Sequence, residues 1–520
     1  MLFRALLIIV CLQISVLWTV ASPQEKPVNG ETAQSYIAQA RKALRAGYTD
    51  EGEHLLKLAI QADPSCADAY LLLGSSEFRR GDISRSIEHF DRAVKLRPEL
   101  YSAHYNLALA YLRANKLTDA RAELEQAVTL DPQQPDAVYN LGIVLLDLGE
   151  TRAAIRQLKR ASDLNPHSPD VAFNLLRAEL TDGQLQEAHT EAQRAAVNLA
   201  SDAQWNAAVG GLFLNHADPT TAALYFREAY RLRPDDTRVR NQLALAYLQA
   251  HQPEAVFNTI NPATTADDHY LRASAYYLLH QFSEADEESA IAFHLAPNVP
   301  SIQLLRAHIL QRSGKQESAL KLLGQTIRMK PDWDEPYYSA GVSYYFLGRY
   351  NEARESLRRA LELNPSSVKG LFLMATTIAH QGAAADAEPY FHRAVVLQPS
   401  NARLHCHLGL VFLQENENAK AEECFRRAIE LKPDYALPHY ELGKLLMHSN
   451  EFPEAARELE AAIIHDPSLT SAYYQLSRVY SRLGEAKKSE LVLARFKELH
   501  KQEDDTQTVH EDVVKQVVSD

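Results

Sequence analysis

An all-α solenoid of about fourteen helix–turn–helix units is the fold class the sequence predicts, and three phased series predict it. Proline recurs at intervals of 34 residues, at Pro64, Pro98, Pro132 and Pro166, then at Pro234, and again from Pro297 through Pro331, Pro365, Pro399 and Pro433 to Pro467. Small residues keep the same phase at two points of each unit, as in Gly74, Ala108, Gly142, Gly341 and Gly409, and in Ala120, Ala154, Ala353, Ala387 and Ala421. Between those points falls a residue suited to a left-handed turn: Gly47, Gly81, Asn115, Gly149, Gly183, Gly314, Gly348, Gly382, Asn416, Asn450 or Gly484. Glycine, or failing that asparagine, ends a helix there without a side-chain clash. The proline then stops the second helix, because it cannot continue one. A period of this length marks stacked units, none of which buries its apolar face alone. It also explains how 520 residues escape the limit of about 250–300 residues on a single core.

The elements follow in chain order. Met1 to Arg4 is a short positive lead, Leu6 to Ala21 is strongly apolar, and Thr19, Val20 and Ala21 offer small residues for cleavage. Residues 1–21 therefore read as a secretory signal peptide. An uncleaved anchor is only the runner-up, since the apolar run is a little short of the roughly 20 residues that span a bilayer. The protein is expected to be exported to a periplasmic or extracellular space. Membrane contact is expected only if residues 6–21 stay attached.

The first arm covers residues 31–262. Its fifth unit has Ala200 where the closing proline belongs, and its seventh is shortened, with Pro253 inside the second-helix region and Pro262 only 28 residues after Pro234. "NPATTADDHY" (Asn261 to Tyr270) is rich in breakers and reads as a loop or bent joint. A second arm then covers residues 263–501. Its last helix, near Lys487 to Lys501, is highly charged, as a terminal repeat must be for solubility. Residues 502–520 are acidic and short of core residues, so a disordered tail is expected. Beyond Cys11 in the leader only Cys66, Cys406 and Cys424 remain, too few for a disulfide framework. Isolated buried thiols are expected, with a Cys406–Cys424 bridge left open.

The stretches "YLLLGSSEFRRGDISRSIEHFDRAVKLRP" (Tyr70 to Pro98) and "YYSAGVSYYFLGRYNEARESLRRALELNP" (Tyr337 to Pro365) carry a large residue, Leu-Gly or its equivalent, then Phe or Tyr, Ala or Ser, a core Phe or Leu, Ala and Pro in 34-residue phase. The chain in this respect resembles the tetratricopeptide repeat family, from about residue 31 to about residue 501. The resemblance implies a right-handed superhelix whose first helices line an inner groove and whose second helices form the outside. It also implies protein partners. The family's clamp for chain termini uses lysine where this chain mostly has aromatics, so that specificity is not carried over. Some similar proteins add a glycosyltransferase domain after the superhelix; only about twenty residues follow the last unit here, and no such domain is expected in this sequence.

In "HYNLALAYLRA" the first helix is apolar almost all round. Leu107, Ala108 and Tyr111 suit packing, while residues 105, 106, 109, 112 and 113 point elsewhere at roughly 100° per residue. That second face is expected to line the groove. The phase of Tyr105 recurs at Tyr139, Phe173, Tyr338 and Tyr440, and the phase of Asn106 at Asn140 and Asn174. An asparagine amide both donates and accepts. In similar superhelical proteins such a ladder holds peptide backbone, so the resemblance implies that role for Asn106, Asn140 and Asn174. The other reading has the asparagines bonding neighbouring helices and the rings packing on the next repeat. Asp136, Asp147 and Asp170 flank the ladder. In the second arm Lys369 and Arg403 share one phase, Lys444 and Arg478 another, with His407 and Arg482 nearby; together they form a candidate basic strip for an acidic tail or an anionic glycan. Its counter-reading is a solvated face offset by Glu441 and other acids.

Nothing resembling an active site appears: there is no glycine-rich phosphate loop, no HExxH and no CxxC. "HCH" at His405 to His407 is a weak metal candidate, since helix residues two apart do not face each other. The chain is expected to be no enzyme and to carry no cofactor or metal. With 54 basic against 67 acidic residues, broad nucleic-acid binding is excluded as well. The expected function is an exported scaffold binding extended segments of other proteins, for complex assembly or secretion. The rivals are binding of anionic polymer in the second arm and a purely structural envelope subunit.

Overall fold

The computed structural model describes residues 32–505. Among them are twenty-eight helices and no strand, numbered here in chain order from α1 (Ala33–Arg45) to α28 (Ala486–Asp505). They follow one another as fourteen consecutive pairs, mostly a first helix of 13 residues and a second of 14, as in α5 (Tyr101–Arg113) and α6 (Leu117–Leu130). The described residues fall into two compact units, one ending at Asn261 and the other beginning at Pro262. Both are α-solenoids in which each helix packs on the one before and the one after it.

The phased small residues let the paired helices approach. A Cβ added at Gly142 would stand 2.7 Å from Leu158, and one at Gly409 would stand 2.7 Å from Phe425. Phe90, Leu124, Leu158, Phe226, Leu357, Phe391 and Phe425 fill that contact and are all essentially sealed from solvent. The turn positions are left-handed as the glycine and asparagine series requires, with φ from 57° at Asn115 to 90° at Gly81. Three more residues share that conformation without being suited to it: Ala217, His251 and His280, at φ 59°, 55° and 58°.

Some histidines tie the two helices of a pair to the turn that precedes it. On α5, His104 meets the Glu123 carboxylate at 2.6 Å through Nδ1 and the Pro98 carbonyl at 2.8 Å through Nε2. His439, on α25 (Ala436–His448), repeats both contacts with Glu458 at 2.7 Å and the Pro433 carbonyl at 2.9 Å.

Two sequence expectations change. The breaker-rich stretch 261–270 is only half a loop, because α15 (Ala266–Leu278) starts within it. The Thr265 hydroxyl accepts from the Asp268 backbone, and the Asp268 carboxylate, fully buried, accepts from the Thr264 and Thr265 backbones and the Thr264 hydroxyl. This capping box satisfies donors that a helix start otherwise leaves open. The stretch expected as a tail from 502 is helical at its start, since α28 runs to Asp505. The leader 1–21 and residues 506–520 lie outside the described residues. Upstream, the shortened seventh unit has a second helix of six residues, α14 (Glu254–Thr259), opened by Pro253.

Candidate functional site

Three successive first helices of unit 1 carry the proposed ladder: α5, α7 (Pro135–Asp147) and α9 (Pro169–Thr181). Both α7 and α9 open on a proline, whose fixed φ suits the first helical position. Tyr105, Leu109 and Leu112 on α5, Tyr139, Ile143 and Leu146 on α7 and Phe173 on α9 are all half-buried. They form an apolar face that the fold's interior does not fully take up.

Within this face the asparagines reach back one repeat. Asn140 donates from Nδ2 to the Tyr105 hydroxyl at 3.0 Å, and Asn174 does the same to Tyr139 at 2.9 Å. Asn174 also donates to the Asp170 carbonyl at 2.9 Å and is buried, at 5% exposure. Asn106 differs, because the residue one repeat before Tyr105 is Leu71, which has no hydroxyl. Asn106 and Asn140 are half-buried and keep amide valences for a further partner. Tyr105 also stacks on Tyr101, with ring centroids 5.7 Å apart. Asp136, Asp147 and Asp170 are exposed on the same helices.

One residue of this face escaped the sequence reading. Arg177 stands on α9 in the phase of Leu109 and Ile143, one turn beyond Phe173, and is half-buried. Its Nε is buried and has no hydrogen-bond partner among the described residues. An unsatisfied buried donor costs about 1–3 kcal/mol, and arginine cannot relieve it by losing its proton. The signal was available in the sequence: a cation standing where earlier units place leucine and isoleucine.

In unit 2 the candidate residues are spread over α19 (Asp334–Phe346), α21 (Val368–His380), α23 (Ala402–Gln414), α25 and α27 (Thr470–Arg482). The basic strip does not hold together. His407 is not part of it: the ring lies in the core, 4.8 Å from Phe372 and 6.0 Å from Phe391 between centroids, and burial pulls its pKa down to about 4, leaving it neutral. Lys369 is spent on Glu335 at 2.6 Å, and Lys444 on Glu441 at 2.8 Å. Each of these ammonium groups also sits over a ring, 4.6 Å from Tyr338 and 5.0 Å from Tyr440. Tyr338 is buried, at 7% exposure, and so is no open groove residue, whereas Tyr440 is half-buried. Arg478 lies over Tyr474 and donates to Gln475 at 3.1 Å; Arg403 is half-buried and Arg482 is exposed.

A buried polar cluster joins α17 (Pro300–Arg312) to α19. His308 Nε2 lies 2.8 Å from the Ser339 hydroxyl, and Gln311 donates to the Ser339 carbonyl and the Ser343 hydroxyl, each at 2.7 Å. Burial takes the His308 pKa down to about 4, so it is a poor base, and the cluster is a satisfied joint between repeats. The two histidines around Cys406 diverge as helix geometry requires: His405 bonds the Pro399 carbonyl at 2.9 Å while His407 enters the core. Cys406 and Cys424 are both free thiols; burial pushes the first far up in pKa and the second up to about 11.

Among the described residues no helix is long and apolar enough to cross a membrane. Comparison with curated proteins finds Protein O-mannosyl-transferase TMTC3 of Homo sapiens, 25% identical over 169 residues, which are 32% of this chain and 17% of that protein. It also finds Protein STIP1 homolog of Dictyostelium discoideum, 32% identical over 91 residues, 16% of each chain. The chain thus spans about a sixth of the length of these relatives. Among solved structures, the APC/C hetero-tetramer Cut9-Hcn1 is similar over 86% of this chain and 96% of that one, at 13% identity and a TM-score of 0.43. YrrB, described as a TPR protein with an unusual peptide-binding site, is similar over 35% and 95%, at 21% identity and a TM-score of 0.32. Tetratricopeptide repeat patterns match residues 37–100, 73–135, 112–163, 139–208, 338–402 and 402–435, together more than half of the sequence. The chain belongs to the tetratricopeptide repeat family.

Proposed function

We propose that this protein is a non-catalytic scaffold that holds an extended segment of a partner protein on the first-helix face of unit 1, over α5, α7 and α9. The observation that carries this reading is the repeated asparagine-to-tyrosine bond within a half-buried apolar face. Each bond fixes a ring rim before any ligand arrives. Ordering a free side chain on binding costs about 0.5–1.5 kcal/mol, and rings already held avoid that cost. The spare amide valences of Asn106 and Asn140 supply donors and acceptors for a passing backbone, whatever its side chains. Asn174, being buried, acts on the ligand only through Tyr139.

The test uses linear peptides selected by display against the full chain. Leu109→Asp and Ile143→Asp introduce charge on the face without touching a sealed core position. Each is expected to weaken peptide affinity about tenfold or more with helicity and melting retained. Val197→Asp, on the 82% exposed Val197 of a second helix, should leave affinity unchanged. The opposite pattern, with Val197→Asp weakening binding and the other two silent, would assign binding to the second-helix side.

The leader pattern in residues 1–21 supports placing this scaffold outside the cytoplasm, in assembly or secretion of protein complexes. N-terminal sequencing of the native protein tests this: a chain starting after Ala21 indicates a cleaved signal, and one retaining Met1 in the membrane fraction indicates an anchor.

A further inference from the structure

We infer that Arg177 selects the partner segment, by pairing with one aspartate or glutamate side chain within it. This inference rests on the peptide-holding reading above and names the chemistry of its ligand. The residue lies three and four positions after Asn174 and Phe173, so all three share one helix face. Its guanidinium is permanently charged and has five donors in a planar fork matched to a carboxylate. Two carboxylates near it in sequence are held by other cations: Glu179 by Lys159 at 3.0 Å, and Glu191 by Arg194 at 2.6 Å.

Room for a ligand lies beside it. The next first helix, α11 (Ala203–Asn215), places Gly211 in the phase of Arg177, and a Cβ added at Gly211 would meet no atom within 4 Å. Ala207 and Ala208 stand in the phases of Phe173 and Asn174 and are equally short. The face therefore opens just where the unpaired cation sits. First helices continue on both sides of α9 within unit 1, so a segment crossing it runs on past the arginine. That continuity favours an internal side chain over a terminal carboxylate. The flanking acids restrict the ligand further. Asp170, seven residues from Arg177 and so about 10 Å along the helix, and the exposed Asp136 and Asp147 repel a uniformly acidic segment. The ligand class is an extended peptide with a single acidic side chain set among uncharged or basic residues.

The experiment is a randomised linear peptide library, displayed both as internal inserts and with free C-termini, panned against the full chain, against Arg177→Gln, and against the Leu109→Asp/Ile143→Asp double variant. Internal inserts that bind the wild type are expected to share one acidic position. Affinity for them should fall about tenfold or more in Arg177→Gln, the range for a lost charged hydrogen bond. Replacing that acid by its amide should cost the same, and the two changes together no more than either alone. Arg177→Lys, which keeps the charge, should retain part of the preference. Peptides that bind the wild type and not the double variant, yet carry no fixed acid or need a free C-terminus, would overturn the role of Arg177 while leaving the peptide-holding face intact. Equal enrichment on the wild type and the double variant would overturn both.

Discussion

Ala217 holds a φ of 59° at a turn where most units use glycine or asparagine. The left-handed region costs an alanine roughly 1–2 kcal/mol, and its side chain is exposed, so nothing offsets the strain. Ala217→Gly should therefore raise stability by roughly 1 kcal/mol, after allowing for glycine's greater freedom in the unfolded chain, seen as a higher urea midpoint. The reverse holds at Gly409, whose added Cβ would press on the sealed Phe425 ring at 2.7 Å. Gly409→Ala should lower stability by about 1–3 kcal/mol, measured in the same way. At this scale the sequence was informative wherever a residue's role is local. The left-handed turns and the small residue facing a large one could be read from spacing alone. The partner of a polar side chain could not, since phase says which way Asn140 points but not that its amide is taken by Tyr105. Lys369 shows a signal that went unused: Glu335 sits one period before it, and opposite charges at one phase in neighbouring units will pair.

Helix pairs are joined by contacts that respond to pH and to capping. Both ring nitrogens of His439 face groups that only accept, the Glu458 carboxylate and the Pro433 carbonyl, so satisfying both requires the imidazolium. Burial opposes the charge, but Glu458 and the Pro433 carbonyl outweigh it and raise the pKa above its ordinary value; His465 stacks on the ring at 5.6 Å. A raised histidine pKa means that the stabilisation is complete below about 6.5, the unfolded value, and fades as pH climbs through the folded value. Comparing the melting of wild type and His439→Gln from about pH 5 to about pH 9 should show a difference that shrinks with rising pH. A constant difference would mean that the ring contributes only packing. The capping box that starts unit 2 has no such dependence on a histidine. Asp268→Ala removes acceptors for three donors and should cost about 1–2 kcal/mol, read from the unfolding midpoint. Breaker composition hid this element: threonine three residues before aspartate was visible, but the neighbouring asparagine, proline and second threonine made the stretch read as a loop.

For the molecule as a whole, stability in a repeat array is close to a sum over units and their nearest-neighbour interfaces. That is why one period was enough to make the fold legible: every unit repeats the same packing solution, and 34-residue spacing records it. Function is less legible for the same reason. A family pattern marks what all units share, whereas a binding face is made by departures from it, such as Arg177 in place of an aliphatic residue. His407 shows the converse, a candidate that shares the asparagine phase but is drawn inward by Phe372 and Phe391. The first-helix face of unit 1 is where the partner segment is proposed to lie, and one measurement reaches it most directly. A photo-reactive amino acid placed at Leu109 or Ile143, and separately at Val197, would be irradiated with a display-selected linear peptide and the adducts located by mass spectrometry. Adducts are predicted from the first two positions and not from Val197; labelling from Val197 with none from the others would contradict the account.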